Sequence, residues 1–147
     1  MPIITLPNPI LFTPAKPVDF ASSDDLAKLD PLIADMHETL AKGKGVGLAA
    51  NQVGSLLRVV MVHAAPYTIV AINPVFRTVN GTENDTIEEG CLSDPGNRYL
   101  VSRPKQIWLE YYTREGKLVK KRVGGMEAKI WQHEIDHLNG INIKDKK

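Results

Sequence analysis

Near its C-terminus the chain reads Gln132-His133-Glu134-Ile135-Asp136-His137, and this stretch restricts the fold more than any other. Two histidines four positions apart share one face of a helix, because a period of 3.6 residues brings i and i+4 together. A glutamate directly after the first histidine then leans over whatever the imidazoles hold. This is the HExxH arrangement: two neutral imidazoles for a divalent metal, and a carboxylate placed to take a proton from water that the metal activates. The bland alternative is an ordinary half-buried pair of helical histidines. The helix itself has support, since Met126 and Ile130 share the face of the histidines and Gly140 suits a left-handed cap. Two imidazoles do not complete a metal site, so a further ligand has to come from elsewhere.

A length of 147 residues points to one domain, 1–147, large enough to bury a core. Hydrophobic content of 43% and charged content of 24% are those of a globular protein, and a formal charge of +1 gives no reason to expect a nucleic-acid or anionic-membrane surface. No apolar run reaches the ~18 residues of a membrane span, and Met1-Pro2-Ile3 opens nothing like a secretory signal. The single cysteine, Cys91, rules out an internal disulfide and fits a reducing, cytoplasmic compartment. The closing Lys144–Lys147 run, interrupted by Asp145, reads as a solvated tail.

Five of the ten prolines fall in the first twenty residues, which reads as an extended arm lying on the body. Ser22-Ser23-Asp24-Asp25 is a helix start, a hydroxyl cap followed by acids that favour the helix dipole. Leu26, Leu29, Ile33, Met36 and Leu40 then mark a buried stripe, with His37 outside it. Pro31 either kinks this helix or restarts it behind Asp30. Residues 43–54 carry four glycines but complete neither phosphate-binding pattern. Gln52 is the one residue there whose neutral amide can polarise a carbonyl, or else it bonds to a turn at the surface. Arg58–His63, Thr68–Val79 (broken near Asn73-Pro74), Gln106–Thr113 and Leu118–Val123 read as strands, the last two as a hairpin around 114–117. The expectation is an α+β fold: short antiparallel strands around a central C-terminal HExxH helix, with one earlier packing helix.

Between these lies Glu88-Glu89-Gly90-Cys91-Leu92-Ser93. A lone cysteine is most often a small buried hydrophobe. Yet Glu89, Gly90 and Ser93 are a poor match to a core strand, and a thiolate is the strongest remaining candidate to join His133 and His137 on a metal. His63, in a strand, and His37, on the outside of a helix, are weaker.

Three segments, GVGLAANQ (45–52), EGCLS (89–93) and QHEIDH (132–137), occur in that order and together resemble the signature motifs of the peptide deformylases, over almost the whole chain. The resemblance implies a metal-dependent hydrolase that removes the N-formyl group from the N-terminal methionine of new polypeptides, releasing formate. It makes Cys91, His133 and His137 the metal ligands and Glu134 the catalytic acid/base. Gln52, with the backbone N–H of Leu92, would hold the oxyanion. Val46, Gly47 and Gly90 would pair with an extended peptide, while Val46, Ile87, Met126 and Ile130 would line the methionine pocket and Arg103 would lie near the substrate's downstream residues. The cofactor implied is ferrous iron, with zinc, nickel or cobalt suited to the same ligands. The partners implied are N-formylmethionyl peptides or nascent chains, met by a monomer.

Departures from the family pattern are Asp94 after the serine of EGCLS, Lys129 one position before a pocket residue, and Trp131 on the other side of the helix. The chain also stops ten residues after His137, which resembles compact phage-encoded deformylases and argues against ribosome docking; the location would then be the host cytoplasm. Three rival readings are an HExxH metalloprotease, a non-catalytic peptide-binding module on the same fold, and a deacylase for longer acyl chains. The protease would need a third ligand downstream, where only Asp145 is available.

Overall fold

In the computed structural model, helix α1 runs unbroken over Ser23–Gly43 with Pro31 inside it. The residues described are 3–43, 45–64 and 66–146; Met1 and Pro2, Lys44 of the glycine-rich stretch, Ala65, and Lys147 of the basic tail lie outside them. The Ser22 hydroxyl accepts from the Asp25 N–H at 3.2 Å and caps the helix. Leu29, Met36 and Leu40 of the stripe are buried, joined by Leu32, and His37 is exposed.

Five antiparallel strands form the main sheet in the order β1 (Gly47–Ala49), β2 (Val59–Ala64), β3 (Tyr67–Thr78), β6 (Gln106–Tyr112), β7 (Leu118–Gly124). The break expected in the second strand is a bulge between Ile72 and Val75, where Asn73 adopts φ 54°. Alternation along β2 explains its uniformly apolar sequence. Val60 and Val62 pack beneath helix α2 (Gly125–Leu138) with Ala128, Trp131, Ile135 and Leu138, while Val59 and Met61 face α1. The sheet is therefore covered on both faces, and α2 lies in the middle of the molecule. Trp131 is fully buried and stacks on Tyr111 at 5.5 Å, which fixes the rotation of α2 about its axis.

A second sheet is the hairpin β4 (Asn84–Cys91) and β5 (Asp94–Pro104), with Glu89 opposite Tyr99 and Asp85 opposite Arg103. The sequence reading had placed no strands there. Lys144, Asp145 and Lys146 of the basic run are exposed, as expected, though ordered: Ile143–Lys146 is a short helix α3, Ile143 before the run is buried, and Asp145 accepts from the Asn142 N–H at 2.9 Å. The proline-rich arm is pinned by backbone bonds from Ile4 to Gln52 and from Leu6 to Ser93, each 2.8 Å, and from Ala15 to Leu138, 2.6 Å. It thus holds the three segments that converge on one cavity. Among the described residues no helix is long and apolar enough to cross a membrane.

Candidate metal centre and active site

Helix α2 presents His133, Glu134 and His137 toward the last residue of β4. The ligand atoms of Cys91, His133 and His137 all lie within 4.8 Å of one another, with Cys91 Sγ 3.2 Å from His137 Nε2. The imidazole planes stand at 64° with centroids 5.1 Å apart. His133 points Nδ1 at Glu89 Oε1, 3.0 Å away, so its Nε2 is left for the centre of the group. A thiolate and two imidazoles suit zinc, iron, cobalt or nickel and leave coordination positions open.

Charge supports the same reading. Burial favours a neutral ring at His133, but the negative charges of Glu134, Cys91 and Glu89 outweigh it and raise the group to about 10. A field that draws a proton so strongly also favours a divalent cation among these atoms. His137 is held well below its usual value by burial and by repulsion from His133 and Arg103, so it remains a neutral ligand. Its Nδ1 is buried with no hydrogen-bond partner among the described residues.

Glu134 is buried beside this group, with Oε1 unpartnered among the described residues and its carboxyl pushed up to about 7, chiefly by burial against the opposing pull of His133 and Arg103. Gly47 makes its position possible. A Cβ there would sit 2.6 Å from Glu134 Oε2. Gln52, also buried, accepts from the Ala49 N–H through Oε1 at 2.9 Å, and its Nε2 lies 3.7 Å from Cys91 Sγ and 3.0 Å from Ser93 Oγ. The alternative of a surface amide does not hold.

These groups open on a cavity of about 630 Å³. Val46, Gly47, Ile87, Gly90, Leu92, Met126 and Ile130 line it, as do Asp94 and Lys129. Arg103, expected near the substrate's downstream residues, is not among the residues that line it. It is 2% exposed, donating to both Glu89 oxygens at 2.7 and 3.0 Å and to Asp136 Oδ2 at 2.9 Å. A guanidinium with two carboxylate partners within reach stays behind the site, because burying it unpaired would be far less favourable. Arg98, exposed and 3.4 Å from Glu88, is the arginine on the cavity wall.

The sequence reading passed over several supporting groups. Glu89 orients His133, Asp136 anchors Arg103, and Asn51 donates to the His137 carbonyl at 2.6 Å. Ser93 accepts from Gln52 and donates to the Ile4 carbonyl at 2.7 Å. Glu89 and Ser93 stand inside the EGCLS segment, and an acid predicted next to a metal-bound histidine was the available signal. Asp145, the one downstream acid open to a metalloprotease reading, caps its own turn and is not part of the ligand group.

The family model described as polypeptide deformylase matches residues 1–147. A peptide deformylase of Dictyoglomus thermophilum is 41% identical over 139 residues, covering 95% of this chain and 87% of that protein. The Met-Ala-Ser-bound class I type b peptide deformylase from Acinetobacter baumannii superposes with a TM-score of 0.90 at 33% identity, covering 100% of this chain and 98% of the other. The enzyme of Vibrio parahaemolyticus bacteriophage VP16T, crystallised with actinonin, superposes at 0.86 with 31% identity, covering 97% and 99%. Motifs, fold and whole-chain similarity agree, and the chain belongs to the polypeptide deformylase family.

Proposed function

We propose that this chain, acting as one catalytic domain, hydrolyses the formyl amide at the N-terminal methionine of new polypeptides and releases formate. The observation that carries the reading is the meeting of Cys91, His133 and His137 within 4.8 Å, beside a buried carboxylate oxygen that has no hydrogen-bond partner among the described residues. Cys91, His133 and His137 would hold one divalent ion, ferrous iron by family resemblance. When bound, the ion supplies a Lewis acid that makes water acidic near neutrality.

The remaining steps belong to the chain's own groups. Glu134, poised near 7 by burial, takes the proton of the attacking water and returns it to the leaving amine. The Gln52 amide and the Leu92 N–H donate to the oxygen that gains charge as water adds to the formyl carbon. Among the described residues, strand β1 pairs only with β2, and β4 only with β5. Both therefore have an unpaired edge, and an extended peptide would take backbone bonds from Val46, Gly47 and Gly90 across the cavity. Its first side chain would enter between Val46, Ile87, Met126 and Ile130. The downstream role expected of Arg103 falls instead to Arg98. The enzyme would work as a monomer in the cytoplasm on nascent chains.

The test is formate release from formyl-Met-Ala-Ser by protein loaded anaerobically with ferrous iron, repeated with Glu134→Gln. The variant should keep its metal and lose roughly 10²- to 10⁴-fold in turnover. An active variant would remove Glu134 from its role.

A further inference from the structure

Two polar rungs join β4 to α2, and only one of them serves the metal group. Asp85, Ile87 and Glu89 alternate onto one side of β4, while Lys129 and His133, four apart, share a face of α2. Glu89 meets His133 at 3.0 Å, and one step further along both elements Asp85 Oδ2 meets Lys129 Nζ at 3.2 Å. Ile87 and Ile130 fall between the rungs along β4 and α2, Met126 falls beyond the Lys129 rung, and all three line the cavity, as Lys129 does. The first side chain would thus meet the apolar Ile87, Met126 and Ile130 beside Lys129, whose ammonium pairs with Asp85 toward the end of β4 remote from Cys91.

That ammonium is unusual in its surroundings. The Lys129 side chain is 5% exposed, and its one ion pair among the described residues is with Asp85, itself 45% exposed. An ammonium carries three donors, and a single carboxylate contact leaves donors to spare. An unbranched apolar side chain entering the pocket offers them nothing, and the methionine thioether is only a weak acceptor. A side chain of the same length with a strong acceptor at its tip satisfies the ammonium instead. Methionine sulfoxide is such a side chain.

We infer that this chain also deformylates peptides that begin with oxidised N-formylmethionine, the sulfoxide oxygen accepting from Lys129 Nζ. The inference rests on the deformylase reading above. The reaction is the same amide hydrolysis. Water adds to the formyl carbon, the C–N bond breaks, formate leaves with the water oxygen, the amine gains the proton, and the sulfur keeps its oxidation state. Lys129 acts here as a specificity-determining residue.

The test compares kcat/KM for formyl-Met(O)-Ala-Ser with that for formyl-Nle-Ala-Ser, whose side chain has no acceptor, in protein of measured metal content. The sulfoxide-to-norleucine ratio should fall roughly tenfold or more in Lys129→Met, mainly through KM, and be kept in Lys129→Arg. Asp85→Asn, which leaves the ammonium without its carboxylate, should raise the ratio. It decides the matter if Lys129→Met fails to fold. Binding of the products Met(O)-Ala-Ser and Nle-Ala-Ser, followed by calorimetry, repeats the comparison without turnover. Ratios unmoved by both substitutions would overturn the inference while leaving the deformylase reading intact. Absence of formate release from formyl-Met-Ala-Ser in the parent protein would instead strike at that reading itself.

Discussion

A single methyl group at position 47 would collide with the Glu134 carboxylate, since an added Cβ stands 2.6 Å from Oε2 and 2.9 Å from Cγ. Glu134 is enclosed and cannot swing away cheaply, so Gly47→Ala should displace its oxygens without touching a ligand. A misplacement of this order typically costs ~10²-fold in rate. The expected result is a fall in kcat of that size with metal content and KM little changed; loss of metal along with activity would show that Gly47 serves the fold instead. Gln52→Leu tests the oxyanion contact, with an expected ~10²- to 10³-fold drop in kcat. Gln52 also bonds Ala49 and Ser93, so thermal unfolding of the variant has to accompany the kinetics. At this scale the sequence was informative where chemistry forces spacing. An i,i+4 imidazole pair and a lone thiol leave few arrangements. Arg103 shows where such reasoning fails, because nothing local distinguishes an arginine facing substrate from one buried between Glu89 and Asp136.

Helices α1 and α2 and the β6–β7 hairpin follow from periodicity, since each buries one face against a core of ordinary apolar residues. The β4–β5 hairpin does not. Its inward positions include Asp85, Glu89 and Arg103, which mimic an exposed strand until tertiary structure pairs them. Leu92-Ser93 also lacks the glycine or asparagine that announces a tight turn. The same charges bind the elements together, for Arg103 of β5 joins Glu89 of β4 to Asp136 of α2, and Lys146 of α3 stands 3.7 Å from Asp136. Removing the central guanidinium leaves two buried carboxylates short of their main partner, Glu89 keeping only the His133 ring and Asp136 only Lys146 at 3.7 Å. Arg103→Leu should therefore destabilise the fold by ~3–5 kcal/mol in urea unfolding. A loss under ~1 kcal/mol would mean that water or Lys146 replaces the guanidinium. Pro31 has the opposite sign. Proline is ~3 kcal/mol worse than alanine inside a helix, offset by up to ~1 kcal/mol from a stiffer unfolded chain. Pro31→Ala should raise stability by ~2 kcal/mol, and no change would show that α1 already bends to accommodate the ring.

For the molecule as a whole, the proposed ion is a cross-link between parts that otherwise touch through side chains alone. Cys91 ends the two-stranded sheet, the histidines belong to the helix beneath the five-stranded sheet, and the arm clamps Gln52 and Ser93 over the junction. A ligand bound only by the folded state stabilises it by RT ln(1 + [L]/Kd), or ~2.7 kcal/mol at a hundred times Kd. At ~2–4 °C per kcal/mol for a chain of this size, chelation should lower Tm by ~5–10 °C. The direction follows from the unfolded chain, where the thiol is protonated and lies far from the imidazoles, so that the three hold metal poorly. Cys91→Ser supplies the control. It removes the one ligand that belongs to the hairpin, so its Tm should respond to chelator far less than the parent's, whatever its stability. Should the parent's Tm ignore added and withdrawn metal while Cys91 alkylates at the same rate in both conditions, the sulfur is not a ligand, and hairpin and helix are joined by the Glu89–Arg103–Asp136 charges, the Glu89–His133 contact and the Asp85–Lys129 pair without it.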